Sequence, residues 1–184
     1  HLVQIMKNKS LIIANEKNYE RVTALDANLN RCGVTNSIIT LMDGRSIKYK
    51  FDKILLDAPC TSSGTIRGLT KNSQYLLKTW NLNKIRNTSG LQKKLILNSY
   101  NNLNENGILV YSVCSLEPEE GEEVIQFLID NTNAKIEKIN LKIKSEVNLE
   151  FNNKKYSEEI EKCIKLWPQF HDTEGFFIAK IKKP

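Results

Sequence analysis

Two cysteines follow two apolar stretches of the chain, and an aspartate stands beside one of them. The run "KILLD" ends at Asp57 and passes into Ala-Pro-Cys, which places Cys60 close behind it, and "GILVYSV" is followed directly by Cys114. A thiolate is a strong nucleophile, and a neighbouring acid or base can assist it. A buried structural cysteine is the usual explanation for any single cysteine. Two cysteines beside an acid at strand ends instead favour covalent catalysis.

One reaction that uses two thiols and an acid is methyl transfer to carbon 5 of cytosine. That carbon is too electron-poor to take a methyl group from a sulfonium donor. A thiolate that adds to carbon 6 turns the ring into an enamine, and an acid at the N3 and amino edge assists the addition. A base must then remove the carbon-5 proton so that the thiol can leave.

The segments around these residues alternate between strands and helices. The patterns predict strands at Ser10–Ala14, Ser37–Asp43, Phe51–Asp57, Gly107–Cys114, in "AKIEKINLKI" and in the closing "GFFIAKIKK", and helices at Tyr19–Arg31, in "KIRNTSGLQKKLILNSYNNL" with Gly90 as a weak point, and at Glu119–Asp130. The opening "HLVQIMKNKS" is typical of a helix, and Cys60 to about Asn83 is predicted to be irregular. This alternation indicates βαβ units, and the apolar strands suit a parallel sheet covered on both faces.

Two further acids fall at strand ends, where open α/β sheets bind their ligands. Glu16 follows the first predicted strand, and Asp43 ends the second. Glu16 fits a ribose-binding carboxylate and equally well a solvated carboxylate at a helix N-terminus. Asp43 could bind an adenine amino group, although a turn with Gly44 is the commoner explanation. Together they suggest a cofactor that contains a nucleoside.

Composition narrows the class of protein. The 184 residues suit a single domain, predicted over 1–184, and the net charge of +6 is compatible with RNA as a partner or with a solvated basic surface. No apolar run approaches the roughly 20 residues of a membrane span, and no signal peptide opens the chain. Four cysteines without a C-x-x-C pair and two histidines argue against a metal site and for a reducing, intracellular setting.

Several motifs resemble those of a known family. "LLDAPCTSSGTIR" and "LVYSVCSLEPEE" are similar to the paired cysteine motifs of the RNA cytosine-5 methyltransferases of the Nol/Nop/Sun family. Further matches are "IIANEKNYERVTALDANLNRCGVTN", "DGR", "LQKKLI" and "LWPQFHDTEGFFIAKIKK". The likeness covers the chain except the stretch around Lys142–Ile160.

The resemblance implies a Rossmann-like class I methyltransferase fold, with a mostly parallel sheet and helices on both faces, and S-adenosylmethionine as the cofactor. By the same resemblance, Cys114 attacks the base and Cys60 helps to release the product. Asp57 lies between the cofactor and the target base and contacts both.

The remaining roles that the resemblance implies concern the cofactor and the RNA. Glu16 holds the ribose of S-adenosylmethionine, and Asp43 holds its adenine. Arg67 and the segment Trp167–Phe177, including Phe177, lie near the RNA, although core packing explains that segment equally well.

The chain departs from the family pattern in three places. Val113 stands where the family usually has Thr, and Gly121 where it usually has Asn. The family's first strand and glycine-rich cofactor loop, expected just before His1, are absent from the sequence. We therefore expect an N-terminally truncated domain in which "SLIIA" and "FDKILLD" lack a neighbour. Taken alone, it should be poorly stable and catalytically weak, and strong S-adenosylmethionine binding by the 184 residues would contradict this.

The expected substrate is a cytosine of ribosomal or transfer RNA, modified by a monomeric protein in the cytoplasm or, in a eukaryote, the nucleolus. DNA cytosine methyltransferases, in which the equivalent of Cys60 attacks, and amino-methylating enzymes, which stack the base on an aromatic residue, resemble the chain less. The main alternative is a non-catalytic RNA-binding or assembly module that keeps the methyltransferase fold.

Overall fold

The structure is a computed structural model that describes residues 1–67 and 71–184. These residues form two compact units, His1–Lys48 and Tyr49–Pro184. The helices are α1 (Leu2–Met6), α2 (Tyr19–Arg31), α3 (Lys71–Thr79), α4 (Leu82–Asn101), α5 (Glu122–Asn131) and α6 (Pro168–His171). The strands are β1 (Ile12–Glu16), β2 (Ser37–Leu41), β3 (Phe51–Asp57), β4 (Leu103–Val113), β5 (Lys135–Glu137), β6 (Glu150–Phe151), β7 (Lys154–Lys155), β8 (Ile164–Leu166) and β9 (Phe176–Lys182).

The first unit is a βαβ arrangement of β1, α2 and β2. The two strands pair in parallel, with Ile12 opposite Ser37 and Glu16 opposite Leu41. Helix α2 begins where predicted because the side chain of Asn18 accepts a hydrogen bond from the backbone N–H of Arg21 at its first turn. None of residues 1–48, all of which are described, is buried.

Both strands of this unit differ from their predicted limits. Strand β1 begins at Ile12 because Ser10 adopts a left-handed backbone with φ of 62°, which an extended strand cannot include. Strand β2 ends at Leu41 because Asp43 caps a 3₁₀ turn at Gly44–Ser46. The shift places Glu16 on the last position of β1.

The second unit is a five-stranded sheet built around β4. Strand β3 pairs with β4 in parallel, and β9 pairs with β4 on its other side in the antiparallel sense, followed by β5 and β8. The described sheet is therefore more mixed than the mostly parallel sheet that was predicted, because the last strand returns beside β4. Four apolar side chains of β4 are fully buried, as expected for a central strand, namely Leu103, Leu109, Tyr111 and Val113.

Helix α4 has the predicted length of 20 residues but begins and ends two residues earlier than predicted. The prediction of an irregular stretch from Cys60 to Asn83 is wrong for the part that forms α3 and the start of α4, and its residues 68–70 lie outside the described ranges. The helix begins at Leu82 because the side chain of Asn81 accepts from the N–H of Lys84 at 2.8 Å. No helix in residues 1–67 or 71–184 is long and apolar enough to cross a membrane.

Strand β4 starts at Leu103, four residues before the predicted Gly107, and carries a register shift opposite Phe51–Lys53.

The acidic helix begins later than predicted. Helix α5 starts at Glu122 because residues 118–121 form a turn, in which the N–H of Glu120 donates to the carbonyl of Glu117 at 3.0 Å. Farther on, "AKIEKINLKI" forms a strand only over Lys135–Glu137.

Candidate active site

The two cysteines that follow β3 and β4 face each other. Residue Asp57 at the end of β3 pairs with Ser112 of β4, so both strands end at the same edge of the sheet. The Sγ atoms of Cys60 and Cys114 are 3.0 Å apart, and both side chains are half-buried. The expectation that two thiols meet at this edge is confirmed in the geometry.

The loop after Cys60 is fixed by backbone contacts. The N–H of Gly64 donates to the carbonyl of Cys114 at 3.1 Å, and the carbonyl of Gly64 accepts from the N–H of Gly175 at 2.8 Å. The hydroxyl of Ser63 lies 3.1 Å from that of Ser115 and accepts from the N–H of Leu116 at 3.0 Å. These contacts connect the Cys60 loop directly to the Cys114 loop.

A buried carboxylate holds the same loop from inside. Glu120 is fully buried, and its carboxylate accepts from the N–H of Thr61 at 3.0 Å and from the amide of Gln92 at 3.3 Å. The Gln92 amide also donates to the carbonyl of Pro59 at 2.8 Å. Burial raises the pKa of Glu120, while the donors from Ser115 and Thr61 lower it. Residues on both sides of Cys60 are therefore fixed in place.

The two thiols differ in their tendency to ionise. The hydrogen bond from Cys60 lowers the pKa of Cys114 to about 6, with a smaller contribution from the Ser62 hydroxyl and an opposing one from the Asp57 carboxylate. The contact with Cys114, together with burial, raises the pKa of Cys60 far above its usual range. A shared proton explains both directions, with the negative charge on Cys114.

Asp57 is placed differently from the expectation. Its side chain accepts from the hydroxyl of Ser112 at 3.3 Å, but the residue is exposed rather than partly desolvated. An acid that ends the apolar run "KILLD" suggests a partly desolvated carboxylate, and this expectation is wrong in this structure, because Asp57 occupies the last position of β3. The carboxylate is thus accessible to a ligand.

Glu16 ends β1 and already binds its own loop. One carboxylate oxygen accepts from the N–H groups of Lys17 and Asn18 at 2.7 and 2.9 Å, and the other pairs with Arg21 at 3.0 Å. The Asn18 N–H is the main cause that lowers the pKa of Glu16. Since each carboxylate oxygen can accept two hydrogen bonds, the oxygen facing Arg21 has room for one more donor, such as a ribose hydroxyl.

Asp43 follows β2 in the same unit and is more fully occupied. One oxygen accepts from the backbone N–H and Nε of Arg45, and the other from Nη2 of Arg45 and Nζ of Lys17 at 2.6 and 3.0 Å. The side-chain bonds from Arg45 lower the pKa of Asp43 strongly. A further donor at Asp43 therefore requires one of these bonds to open.

The two residues predicted to lie near RNA have different surroundings. Arg67 is exposed and forms an ion pair with Asp172. Phe177 is fully buried, and its ring packs edge-on against Tyr111 with centroids 6.4 Å apart. Core packing, the alternative given for the segment Trp167–Phe177, therefore holds for Phe177, because its place on β9 directs the ring into the core.

The chain matches a known family along almost its whole length. The family model described as 16S rRNA methyltransferase RsmB/F matches residues 1–182. The chain belongs to this RsmB/F family. The family relationship confirms the resemblance to RNA cytosine-5 methyltransferases.

Relatives of this RsmB/F chain include curated and solved proteins. It is 46% identical over 187 residues to the tRNA (cytosine(49)-C(5))-methyltransferase of Pyrococcus abyssi, with 100% of this chain and 59% of that protein covered. It is 33% identical to NSun6 from Pyrococcus horikoshii, solved with SFG, with a TM-score of 0.82 over 100% of this chain and 44% of that one. A methyltransferase homologue from the same organism is 39% identical, with a TM-score of 0.86 over 100% and 56% of the two chains.

These structures place the RsmB/F chain in the Rossmann-like class I methyltransferase fold, as predicted. The chain spans about 59% of the length of the Pyrococcus abyssi relative.

Sequence reasoning missed three residues of the site, namely Ser62, Gln92 and Glu120. For Gln92 a signal exists, because Ile85, Ser89, Gln92 and Ile96 recur at helical spacing and are all buried on one side of α4. A polar residue on that apolar side needs a buried partner. Glu120 gave no such signal, since acids before a helix are ordinary.

The ionisation of Cys114 predicts a specific alkylation profile. We expect the rate of iodoacetamide reaction at Cys114 to rise with pH through a midpoint near the pKa of about 6 and then to level off. Because its pKa is raised, Cys60 should react slowly over the same range. Peptide mass spectrometry separates the two sites. The unfolded protein, in which free thiols have a pKa of about 8.5, serves as the control. Equal midpoints at both cysteines would contradict the shared-proton arrangement.

The close approach at Gly64 predicts a loss of stability on substitution. A Cβ at Gly64 would lie 2.2 Å from the carbonyl oxygen of Gly175, which is backbone and cannot turn away. We expect Gly64→Ala to lower the free energy of unfolding by about 3 kcal/mol in urea denaturation. Gly90→Ala is the matched control: it has nothing within 4 Å and should stabilise α4 by about 0.5–1 kcal/mol. A neutral Gly64→Ala would mean that the two loops are not held together.

Proposed function

We propose that the protein transfers a methyl group from S-adenosylmethionine to carbon 5 of a cytosine in ribosomal or transfer RNA. The observation that carries this proposal is the thiol pair, with Sγ atoms 3.0 Å apart, at neighbouring strand ends of an RsmB/F-family chain. The Pyrococcus abyssi relative is a tRNA cytosine methyltransferase, and another relative, from Psychromonas ingrahamii, is a ribosomal RNA small subunit methyltransferase F. Their names support RNA as the substrate class and leave the particular RNA open.

Cys114 is the proposed nucleophile. Its thiolate forms a bond from Sγ to carbon 6 of the cytosine, and the electron pair of the carbon 5–carbon 6 double bond moves toward N3. Asp57, exposed at the end of β3, supplies or shares a proton at the N3 and amino edge. S-adenosylmethionine, when bound, supplies the methyl group that carbon 5 then takes.

Cys60 is the proposed assistant in product release. The hydrogen bond and the charge of Cys114 are two of the causes that keep Cys60 protonated. Once Sγ of Cys114 is bonded to carbon, that negative charge is gone and the pKa of Cys60 falls. Cys60 can then lose its proton and act as a base in removing the carbon-5 proton. The bond between Sγ of Cys114 and carbon 6 breaks, which restores the double bond and the thiolate.

Three carboxylates are proposed as cofactor-binding residues, namely Glu16, Asp43 and Asp57. Glu16 has acceptor capacity for the ribose hydroxyls, whereas Asp43 accepts an adenine amino group only if Lys17 or Arg45 releases it. Asp57 is proposed to contact the target base as well as the cofactor. The Pyrococcus horikoshii NSun6 structure contains SFG, an analogue of S-adenosylmethionine, which supports this cofactor. Arg67 is proposed to contact the RNA backbone, and the protein to act as a monomer with residues 1–184 in one domain.

The direct test is a methylation assay. The protein is incubated with S-adenosylmethionine carrying a labelled methyl group and with RNA from cells that lack the gene, and bisulfite sequencing locates any 5-methylcytosine. We expect label at one or a few cytosines, which names the RNA. RNA that is bound but remains unmethylated would instead favour a non-catalytic RNA-binding or assembly module.

A further inference from the structure

Ser62 has a backbone conformation that serine seldom adopts. Its φ and ψ are 60° and 28°, in the left-handed region that favours glycine and asparagine. A residue with a side chain persists there when the surrounding structure requires it. The carbonyl of Ser62 accepts from both the N–H and the hydroxyl of Thr65, at 3.0 and 2.9 Å, so the conformation is held from the following turn.

This conformation directs the Ser62 hydroxyl at both thiols. Its Oγ lies 3.5 Å from Sγ of Cys114 and 3.8 Å from Sγ of Cys60, within the range of hydrogen bonds to sulfur. When Cys114 is protonated, its S–H donates to Oγ. A hydroxyl hydrogen can rotate, so the Ser62 O–H donates to the sulfur once Cys114 has ionised.

The Cys114 thiolate needs such donors because its other two neighbours, Cys60 and Asp57, have opposite effects on its negative charge. The thiol of Cys60 on the same loop donates to Cys114, whereas the Asp57 carboxylate at the end of β3 disfavours a second negative charge nearby. The Ser62 hydroxyl lowers the pKa of Cys114 alongside Cys60 and the local backbone. Its loop is fixed to the Cys114 loop through Ser63 and Gly64, so the donor is in place before any substrate arrives.

We propose that Ser62 is a positioning residue for the Cys114 thiolate, and that the left-handed backbone at residue 62 exists to aim its hydroxyl at that sulfur. The proposal concerns the thiol itself, and its meaning for catalysis rests on the proposed function. A glycine at residue 62 would fit the backbone better and lack the hydroxyl. Ser62→Gly should therefore keep or increase the stability of the protein while it makes the Cys114 thiol harder to ionise.

The experiment measures the pH midpoint of iodoacetamide alkylation at Cys114 together with the melting temperature, in the unaltered protein, Ser62→Gly and Ser62→Thr. We expect Ser62→Gly to melt at the same or a higher temperature, while its midpoint rises by about one pH unit, the effect of one hydrogen bond to a charged group. Ser62→Thr keeps the hydroxyl and should keep the midpoint, although its branched side chain lowers the melting temperature.

The matched control is Ser10→Gly. Ser10 has the same left-handed backbone, with φ of 62°, in the first unit, so glycine there should also be tolerated without moving the Cys114 midpoint. An unchanged midpoint in Ser62→Gly overturns the proposal and leaves the loop conformation as a feature of the turn alone. A shifted alkylation midpoint with an unshifted pH profile of methyl transfer supports the role of Ser62 and instead contradicts Cys114 as the nucleophile.

Discussion

In the presence of S-adenosylmethionine and cellular RNA, we expect Cys60→Ala to accumulate a covalent protein–RNA adduct and Cys114→Ala to form none. In the proposed mechanism, the bond from Sγ of Cys114 to carbon 6 forms before methyl transfer, and its breakage requires loss of the carbon-5 proton. Without Cys60, whose sulfur lies 3.0 Å from Cys114, that second stage slows while the first continues. A denaturing gel detects the adduct as a band of reduced mobility.

Loss of the nucleophile should have the larger effect on rate. We expect methyl transfer by Cys114→Ala to fall by at least about a thousandfold, because removal of an attacking group leaves only substrate positioning. RNA binding should change little, since a thiol contributes little to phosphate contacts. The variant thus separates binding from chemistry.

Cys32→Ala is the matched control for both variants. Cys32 is exposed in the first unit and should support normal turnover with no adduct. An adduct with Cys114→Ala in place of Cys60→Ala would exchange the roles of the two cysteines. Intact RNA binding with no adduct in any form would favour the non-catalytic module.

The meeting of the two thiols could be predicted from sequence because it depends on strand order alone. Asp57 and Val113 end strands that read as apolar runs, and parallel strands carry their carboxyl ends to one edge. The Glu120 network could not be predicted in the same way. Glu120 binds Thr61, which is 59 residues away, and the local sequence "LEPEE" resembles an ordinary acidic helix start. Burial there is set by tertiary contacts.

Phe177 shows where a local pattern could have decided between core packing and a place near the RNA. Along β9 the residues Phe177, Ala179 and Ile181 are fully buried, and the residues between them are half-buried, which is the period of a strand packed on one face. That alternation places Phe177 in the core with Tyr111. For Asp57 the sequence suggested a partly desolvated carboxylate, whereas the residue is exposed. An apolar strand does not require its last residue to be buried.

A buried ion pair in the second unit leads to the largest expected change in stability. Lys165 and Glu122 both have fully buried side chains, and Nζ lies 2.9 Å from one carboxylate oxygen. We expect Glu122→Gln to lower the free energy of unfolding by about 3–5 kcal/mol, because it leaves a buried ammonium without its counter-charge. Chemical denaturation at pH 7 measures the loss.

The pH dependence of the free energy of unfolding shows whether Glu122→Gln acts through the lost charge or through altered packing. Burial lowers the pKa of Lys165 in the folded protein, and Glu122 opposes that effect. In Glu122→Gln the folded pKa falls further below the unfolded value near 10.4, so the unfolded state binds more protons between the two values. Stability of this variant should therefore rise as pH rises from 7 toward 10, more steeply than in the unaltered protein.

The neighbouring Glu123 provides the matched control, because it differs from Glu122 in burial more than in chemistry. Glu123 is half-buried and pairs with Lys93 and Lys154, at 2.9 and 3.4 Å, and Glu123→Gln should lower the free energy of unfolding by about 0–1 kcal/mol. Adding Lys165→Met to Glu122→Gln removes the orphaned charge and should recover most of the lost stability. Two outcomes would contradict this role of the Lys165 charge: an equal loss of unfolding free energy in both glutamine variants, or no recovery of it in the double variant. The hydrogen bonds from Asn148 to Glu122 would then be the stabilising contact.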